Sequence, residues 1–219
     1  MRLFLIRHGQ TPANVLGRLD TAHPGPGLTE LGSRQAAVIP DALRRARIDA
    51  IFASTLVRTQ LTAQPLSAAR SLDVRVVDGL HEIEAGSLEG LSDRASVHRY
   101  LSTALAWGSG ELDERMPGAS TGHDFFERFD ADIAAASAVA TAAVFSHGAA
   151  IRVWTAGRAR NLPAEFAGAQ ELQNTGVVEL TGSPEQGWTL VNWAGRPVGG
   201  GAFSDDNAED PLGEAVSTA

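Results

Sequence analysis

Two histidines, each standing directly before a glycine, are the residues of this sequence best suited to do chemistry. His8 follows Arg7 and the apolar run at residues 3–6, and His147 follows a similar run at residues 142–145. Near neutral pH an imidazole can act as nucleophile, base or acid, and the guanidinium of Arg7 adds a permanent positive charge beside the first of them. We therefore expect the chemistry at these two junctions.

The short apolar runs before both histidines are typical of strands buried on both faces of a parallel sheet covered by helices. In open α/β sheets, ligands bind at the carboxyl ends of the strands. Two strands that end in His-Gly can thus place His8 and His147 side by side at one edge of a sheet. A lone Arg-His-Gly occurs by chance, so the second junction is what favours a functional interpretation.

Predicted strands and helices alternate along the chain, which favours an α/β fold of three layers, α/β/α, with a mostly parallel central sheet and one antiparallel edge strand. Strands are expected at 3–6, 48–53, 74–77, 142–145, 177–180 and 188–193, the last two as a hairpin. Helices are expected at 29–38, 42–47, 56–70, 92–107, 125–143 and 149–156, and another from 162. Arg58 falls in the first turns of a helix that follows a strand, so its guanidinium can reach the edge that holds His8.

The length of 219 residues fits one main domain, predicted at 1–196. Within it, residues 91–140 are expected to form a helical excursion that acts as a lid or substrate wall. Residues 197–219 contain no basic residue and accumulate acidic ones among Gly, Ser and Ala. This composition predicts a flexible acidic tail.

Composition excludes several classes of function. Cysteine is absent, which excludes disulfides and thiolate metal sites, and all 18 basic residues are arginine, which excludes Schiff-base lysine chemistry. A net charge of −8 disfavours a nucleic-acid partner. No run reaches the roughly 18 apolar residues of a membrane span, and no signal peptide is recognisable, so no membrane partner and a cytoplasmic location are expected. The zinc pattern H-E-x-x-H also fails, because Ala85 occupies its last position.

Four ordered motifs carry a resemblance to a known family. They are Leu5-Ile6-Arg7-His8-Gly9-Gln10-Thr11 with Asn14, Ser54-Thr55-Leu56-Val57-Arg58-Thr59, Leu80-His81-Glu82 with Leu88-Glu89-Gly90, and Ser146-His147-Gly148. In this order and spacing they resemble the histidine phosphatase superfamily, which includes phosphoglycerate mutase-like enzymes. The similarity extends from residue 1 to the hairpin near residue 193.

The resemblance implies a role for each site residue. His8 would attack phosphorus and carry the phosphoryl group as a phosphohistidine, while Glu82 would protonate the leaving alkoxide and then activate water. The non-bridging oxygens would be surrounded by Arg7, Arg58 and His147. Further phosphate contacts would come from Gly9, Gln10, Thr11, Asn14 and Gly148. Because fixed cations would neutralise the phosphate, the resemblance implies neither metal nor cofactor.

The function expected from this resemblance is a metal-independent phosphomonoesterase acting on a small phosphorylated metabolite. A cofactor-dependent mutase is the alternative enzyme, although Ile83, Glu84 and Ala85 stand where mutases have aromatic residues. An inactive phosphate-binding or scaffold protein is the alternative outside the enzymes. The oligomeric state stays open, and the terminal hairpin offers an edge for a homodimer.

Overall fold

The computed structural model describes residues 1–163, 165–205 and 207–215. Its centre is a six-stranded sheet with the strand order β3-β2-β4-β1-β5-β6. The strands are β1 (Arg2–Arg7), β2 (Ala50–Ser54), β3 (Val74–Val77), β4 (Thr141–Ser146), β5 (Val177–Ser183) and β6 (Gly187–Ala194). All six predicted strands are present.

The first four strands are parallel, and the hairpin supplies the antiparallel part of the sheet. β1 pairs parallel with β4, β4 with β2, and β2 with β3. β5 is antiparallel to both β1 and the edge strand β6, with which it forms the predicted hairpin. The expectation of a mostly parallel sheet with antiparallel pairing at one edge is confirmed.

Helices cover both faces of this sheet. They are α1 (Pro12–Val15), α2 (Glu30–Ala37), α3 (Ile39–Ala42), α4 (Val57–Arg70), α5 (Arg94–Gly108), α6 (Gly122–Ala136), α7 (Gly148–Arg158) and α8 (Phe166–Ala169). Two short 3₁₀ turns lie at Gly86–Leu88 and Gly201–Phe203.

Three helix predictions differ from the structure. The helix expected at 42–47 is the earlier turn α3, whose first turn tolerates Pro40 because that position needs no backbone donor. The helix expected to run to residue 143 ends at Ala136, since the chain must extend again to pair as β4 from Thr141. The helix expected from 162 begins at Phe166, and Ala164 lies outside the described residues.

The alternating side chains of β1 show why both faces of the sheet are buried. Leu3 and Leu5 belong to the larger apolar cluster, while Phe4 and Ile6 belong to the smaller cluster on the opposite face. Successive strand residues point to opposite faces, so an uninterrupted apolar run requires cover on each side. The three-layer prediction is confirmed on this point.

The predicted excursion packs into the larger apolar cluster. Trp107 of α5 and Phe125 of α6 are fully buried, and their ring centroids are 6.0 Å apart. In α6, Phe129 continues the aromatic contacts to Trp154 of α7, with ring centroids 5.5 Å apart. The described part of 91–140 therefore contributes to the main core, and its role as a lid or substrate wall stays a prediction.

The described part of the segment after Arg196 contacts the body of the protein, and its expected flexibility stays a prediction. Leu212 is only 5% exposed and joins the larger apolar cluster. Asp210 forms an ion pair with Arg7, and Gln35 donates a hydrogen bond to the carbonyl oxygen of Phe203. The buried side chain of Leu212 and the ion pair of Asp210 with buried Arg7 thus hold the segment against the body of the protein. Asp206 and residues 216–219 of the predicted tail lie outside the described residues.

Within the described part of the chain, no helix combines the length and apolar character that crossing a bilayer requires.

Candidate active site

The two predicted histidine junctions meet at one edge of the sheet. In the β1–β4 register, Arg7 lies opposite Ser146, so the next residue of each strand, His8 and His147, emerges at the same level. The two imidazole ring centroids are 5.2 Å apart, and the ring planes are tilted by 58°. This is the juxtaposition that the repeated His-Gly junction predicts.

A hydrogen bond fixes the orientation of His8. Its Nδ1 lies 2.8 Å from the carbonyl oxygen of Gly9. Because a carbonyl only accepts, Nδ1 carries the proton in this contact, and Nε2 of the neutral ring keeps its lone pair. His8 is therefore held in the tautomer that a nucleophile requires.

Arg7 and Arg58 approach the histidines from two different elements. Arg7 ends β1, and Arg58 lies in the first turn of α4, directly after the carboxyl end of β2. Both guanidinium groups are almost fully buried. Arg58 donates from Nη2 to the carbonyl oxygen of Asp20 at 2.8 Å. The position of Arg58 after a strand, rather than its residue type, is the sequence signal that identified it.

Three buried nitrogen atoms of this group have no hydrogen-bond partner among the described residues. They are Nε of Arg7, Nη1 of Arg58 and Nδ1 of His147. The Nε2 atom of His147 is 2.8 Å from the hydroxyl of Ser54, so the tautomer that accepts from this hydroxyl presents an Nδ1–H donor. Nη1 of Arg58 has an ion-pair contact with Oδ1 of Asp20 at 3.5 Å. Buried nitrogens without a hydrogen bond are costly, and three of them from three residues fit an anion with several acceptor oxygens.

The surroundings of His8 and His147 keep both rings neutral. Burial lowers the pKa of His8 well below its usual 6.5, and the positive charges of Arg58 and Arg7 lower it further. The pKa of His147 is also lowered well below 6.5, chiefly by burial and then by Arg58 and His8. At neutral pH the lone pair of His8 is thus available, which suits a nucleophile.

These lowered pKa values predict that the protein loses stability in mild acid. Below pH about 6.5 the unfolded chain binds protons at His8 and His147 that the folded protein does not bind, so the free energy of unfolding falls as pH falls. Denaturant unfolding between pH about 7 and about 5 should show this slope. Replacing both residues by glutamine should flatten it, whereas replacing the exposed His98 should not. An unchanged slope in the double variant would contradict the assignment.

A match to a family model decides which family this geometry belongs to. The model of the histidine phosphatase superfamily (branch 1) matches residues 3–195. The chain belongs to the histidine phosphatase superfamily. The resemblance inferred from the four motifs is confirmed.

Similar proteins of this superfamily include phosphatases. The chain is 38% identical over 212 residues to the PE-PGRS family protein PE_PGRS11 of Mycobacterium tuberculosis, covering 89% of this chain and 36% of that protein. It is 33% identical over 128 residues to an adenosylcobalamin/α-ribazole phosphatase of Salmonella typhimurium, covering 58% of this chain and 62% of that protein. The chain thus spans less than two thirds of the length of either relative.

A solved structure shares the fold over most of the chain. It is a mycobacterial glucosyl-3-phosphoglycerate phosphatase in complex with VO₃. The TM-score is 0.75 and the sequence identity 26%, with 89% of this chain and 99% of that chain covered. The α/β architecture described above is therefore that of a histidine phosphatase.

Glu82, the predicted proton donor, lies at the start of α7. It is 1% exposed, and its carboxylate accepts backbone N–H groups from Ile83, Ala149 and Ala150 at 2.8, 3.1 and 2.8 Å. It thereby caps the helix that directly follows His147, where free N–H groups favour a negative charge. The sequence analysis missed this capping role because the partners are more than 60 residues apart. The role of Glu82 in proton transfer stays a prediction.

The loop after His8 is already paired within the protein. The backbone N–H of Gly9 donates to the Thr62 hydroxyl, and that of Gln10 donates to the side-chain oxygen of Gln35. The Thr11 hydroxyl caps α1. Gly9, Gln10 and Thr11 thus shape the loop, and their contact with phosphate stays a prediction.

Two other predicted phosphate contacts lie against Arg7. Asn14 shares with Arg7 a contact to Asp210. Gly148 has no side chain, and a Cβ there would lie 3.0 Å from Nε of Arg7. Asn14 and Gly148 are therefore placed beside the guanidinium, and their contact with substrate stays a prediction.

A cavity of about 350 Å³ lies between the residues that follow β2 and the loop that carries Glu82. Its lining includes Thr55, Asp78, His81, Glu84 and Glu89, a set rich in carboxylates. Thr55 directly follows Ser54, whose hydroxyl contacts Nε2 of His147, and His81 directly precedes Glu82, so the cavity borders residues of the site. In the described residues, no group of three or more His, Asp or Glu side chains is arranged to hold a metal ion.

Proposed function

We propose that this chain is a phosphomonoesterase that hydrolyses a small phosphorylated metabolite through a phosphohistidine on His8. The observation that carries the proposal is the set of three buried nitrogens without a hydrogen bond, on Arg7, Arg58 and His147, near an oriented, neutral imidazole. A phosphoryl group offers three non-bridging oxygens, one for each of these residues. Such fixed donors stabilise the charge that develops in the transition state.

The proposed reaction has two displacements at phosphorus. Nε2 of His8 forms a bond to phosphorus while the bond to the leaving oxygen breaks, and Glu82 gives that oxygen a proton. Water then attacks the phosphohistidine, gives a proton to Glu82 and releases inorganic phosphate, which frees His8. Glu82 must leave the N–H groups of α7 to reach the leaving oxygen, so its capping contact and its catalytic contact alternate.

Hydrolysis is favoured over the mutase alternative by the cavity beside the site. A phosphoglycerate mutase must hold an acceptor that carries a carboxylate. The described lining of the cavity contains Asp78, Glu84 and Glu89 and no arginine, which disfavours a negatively charged acceptor. A leaving group with hydroxyls or a positive charge fits this lining better. The phosphatase names of the Salmonella relative and of the mycobacterial structure agree with hydrolysis. The second name includes a phosphoglycerate, so it does not support the argument from the charge of the leaving group.

The proposal is tested by phosphate release from p-nitrophenyl phosphate and from a panel of phosphorylated metabolites, both in the presence of EDTA. We expect turnover of the chromogenic ester and a preference within the panel for sugar or nucleoside esters over phosphoglycerates. Exchange that depends on bisphosphoglycerate without net release would support the mutase. Phosphate binding without turnover over a broad pH range would support the binding protein. A cytoplasmic location and a homodimer stay predictions from the sequence.

Replacing Arg58 by glutamine is expected to lower kcat/KM by about 10²–10³-fold, the effect of removing one transition-state donor. It should also move the acidic limb of the kcat/KM profile to higher pH, because the charge of Arg58 helps to lower the pKa of His8. Substrate ionisation is the same in both proteins and cancels in the comparison. The matched control is Arg44→Gln on an exposed surface. An acidic limb that stays in place would contradict the electrostatic role.

A further inference from the structure

A residue of the segment that follows β6 contacts Arg7, the most buried cation of the site. The side chain of Arg7 is completely buried, and Asp210 contacts both of its terminal nitrogens: Oδ2 lies 2.6 Å from Nη1, and Nη2 donates to Oδ1 at 2.9 Å. The family match ends at residue 195, so Asp210 lies outside it.

The hydrogen bonds of Arg7 leave one edge of the guanidinium for a ligand. Nη1 also donates to the carbonyl oxygen of Leu172 at 2.8 Å. Nη1 and Nη2 thus donate one hydrogen bond each, and Oδ2 of Asp210 adds an ion-pair contact with Nη1. Nε–H and the second N–H of Nη2 lie together on the other edge of the planar group. That edge contains the unpartnered Nε, and it matches the bidentate geometry of a phosphate.

Asp210 orients a second predicted phosphate contact at the same time. Nδ2 of Asn14 donates to Oδ1 of Asp210 at 3.0 Å. The side-chain oxygen of Asn14 accepts the backbone N–H of Thr11 at 2.9 Å, which fixes which end of the amide faces Asp210. One carboxylate therefore holds Arg7 and Asn14 in a fixed relation.

The chain around Asp210 is built for close approach to Arg7. A Cβ at Gly213 would overlap Nη1 of Arg7, so glycine is the residue that lets the backbone pass there. The carbonyl oxygen of Gly213 accepts from the backbone N–H of Leu172 at 2.7 Å, and buried Leu212 anchors the turn in the core. Residues 210–213 thus form a fixed wall behind the guanidinium.

We propose that Asp210 is a positioning residue of the phosphoryl-transfer site, which turns the Nε edge of Arg7 toward the phosphoryl group. The inference rests on the proposed function. A carboxylate beside Arg7 also opposes the attraction of a phosphate, so its effect has two signs. We expect the orienting effect of Asp210 to outweigh its electrostatic repulsion of phosphate. Asp210 occupies the Nη1–Nη2 edge of Arg7 and leaves the Nε edge open. Misplacing a catalytic group by about 1 Å can lower the rate by about 10²-fold.

The test compares Asp210→Asn with Glu209→Gln, which removes the same charge from an exposed neighbour. The readouts are kcat and KM for p-nitrophenyl phosphate and the inhibition constant of orthovanadate, a transition-state mimic. In Asp210→Asn we expect kcat/KM to fall by about 10- to 100-fold and vanadate to bind more weakly by a similar factor. Glu209→Gln should match the wild type.

The outcomes separate the possible roles of Asp210. A merely structural role would lower the active fraction and kcat but leave the vanadate constant unchanged, which would overturn the inference. Faster turnover or tighter vanadate binding would overturn it as well, because Asp210 would then act as a competitor of phosphate. If Asp210→Asn does not fold, Gly213→Ala provides the second variant. Its added methyl group would overlap Nη1 of Arg7 and lie 2.8 Å from Oδ2 of Asp210, so it disturbs their contact without removing the carboxylate. Unchanged vanadate binding there would also overturn the inference.

The same experiment distinguishes failure of the inference from failure of the proposed function. If neither the wild type nor Glu209→Gln releases phosphate, the proposed function fails. If both release phosphate and Asp210→Asn equals them, only the role of Asp210 fails.

Discussion

Replacing His8 by alanine is expected to lower the turnover of p-nitrophenyl phosphate by at least about 10³-fold, because the phosphoryl group then has no acceptor on the protein. The neighbouring imidazole of His147 cannot take over this role. Its Nε2 is engaged with Ser54, and its Nδ1 is one of the donors that would face the phosphoryl oxygens. Arg7 and Arg58 would still hold the substrate, so binding of vanadate should survive more fully than turnover.

The measurement combines steady-state kinetics with an acid-labile label. Rapid quenching of the wild type during turnover should trap phosphate on one histidine, and His8→Ala should trap none. His98→Ala, on an exposed part of α5, is the matched control and should keep both turnover and label. Turnover in His8→Ala near the wild-type rate would contradict the covalent mechanism. So would an active His98→Ala control that carries the trapped phosphate on a residue other than His8.

Replacing Glu82 by glutamine is expected to separate the two halves of the reaction. An alkoxide is a poor leaving group unless it is protonated, so turnover of an alkyl phosphate should fall by about 10²–10⁴-fold. p-Nitrophenolate leaves without a proton, so its release should persist as a single burst equal to the enzyme concentration. Steady-state turnover should then be slow, because no base activates water on the phosphohistidine.

The capping contacts of Glu82 call for a second readout in this variant. The side-chain oxygen of the glutamine can still accept an N–H of α7, but its NH₂ group would face a second N–H donor there. The free energy of unfolding should therefore fall by about 1–3 kcal/mol. Glu111→Gln at an exposed position is the control for charge. A loss of stability with unchanged turnover of the alkyl ester would show that Glu82 is only a helix cap.

Short stretches of sequence were sufficient to predict the strands and the helix start that position the site. The apolar runs before His8 and His147 were sufficient to predict β1, β4 and the meeting of the two imidazoles at one edge. The place of Arg58 after a strand was likewise readable, because strand-to-helix junctions are encoded by neighbouring residues. The error in α6, which ends at Ala136, arose in an alanine-rich stretch where helical propensity is high but pairing with the sheet prevails.

Contacts between distant parts of the chain could not be predicted in the same way. Glu82 meets α7 across more than 60 residues, and Asp210 meets Arg7 across more than 200. Composition around Asp210, rich in acidic and small residues, is typical of a mobile tail. The segment is held by contacts that include the ion pair of Asp210 and the buried side chain of Leu212. Single contacts of this kind leave no periodic pattern in the sequence.

The packing of Leu212 and Asp210 ties residues beyond the recognisable motifs to the core and to Arg7. A version cut at residue 196 would retain every motif and all six strands, yet it would expose apolar surface of the core and release the guanidinium of Arg7. Divergence in catalytic rate among histidine phosphatases with similar motifs can therefore originate in C-terminal extensions that lie outside the matched region. Such an extension merits the same scrutiny as the motifs themselves.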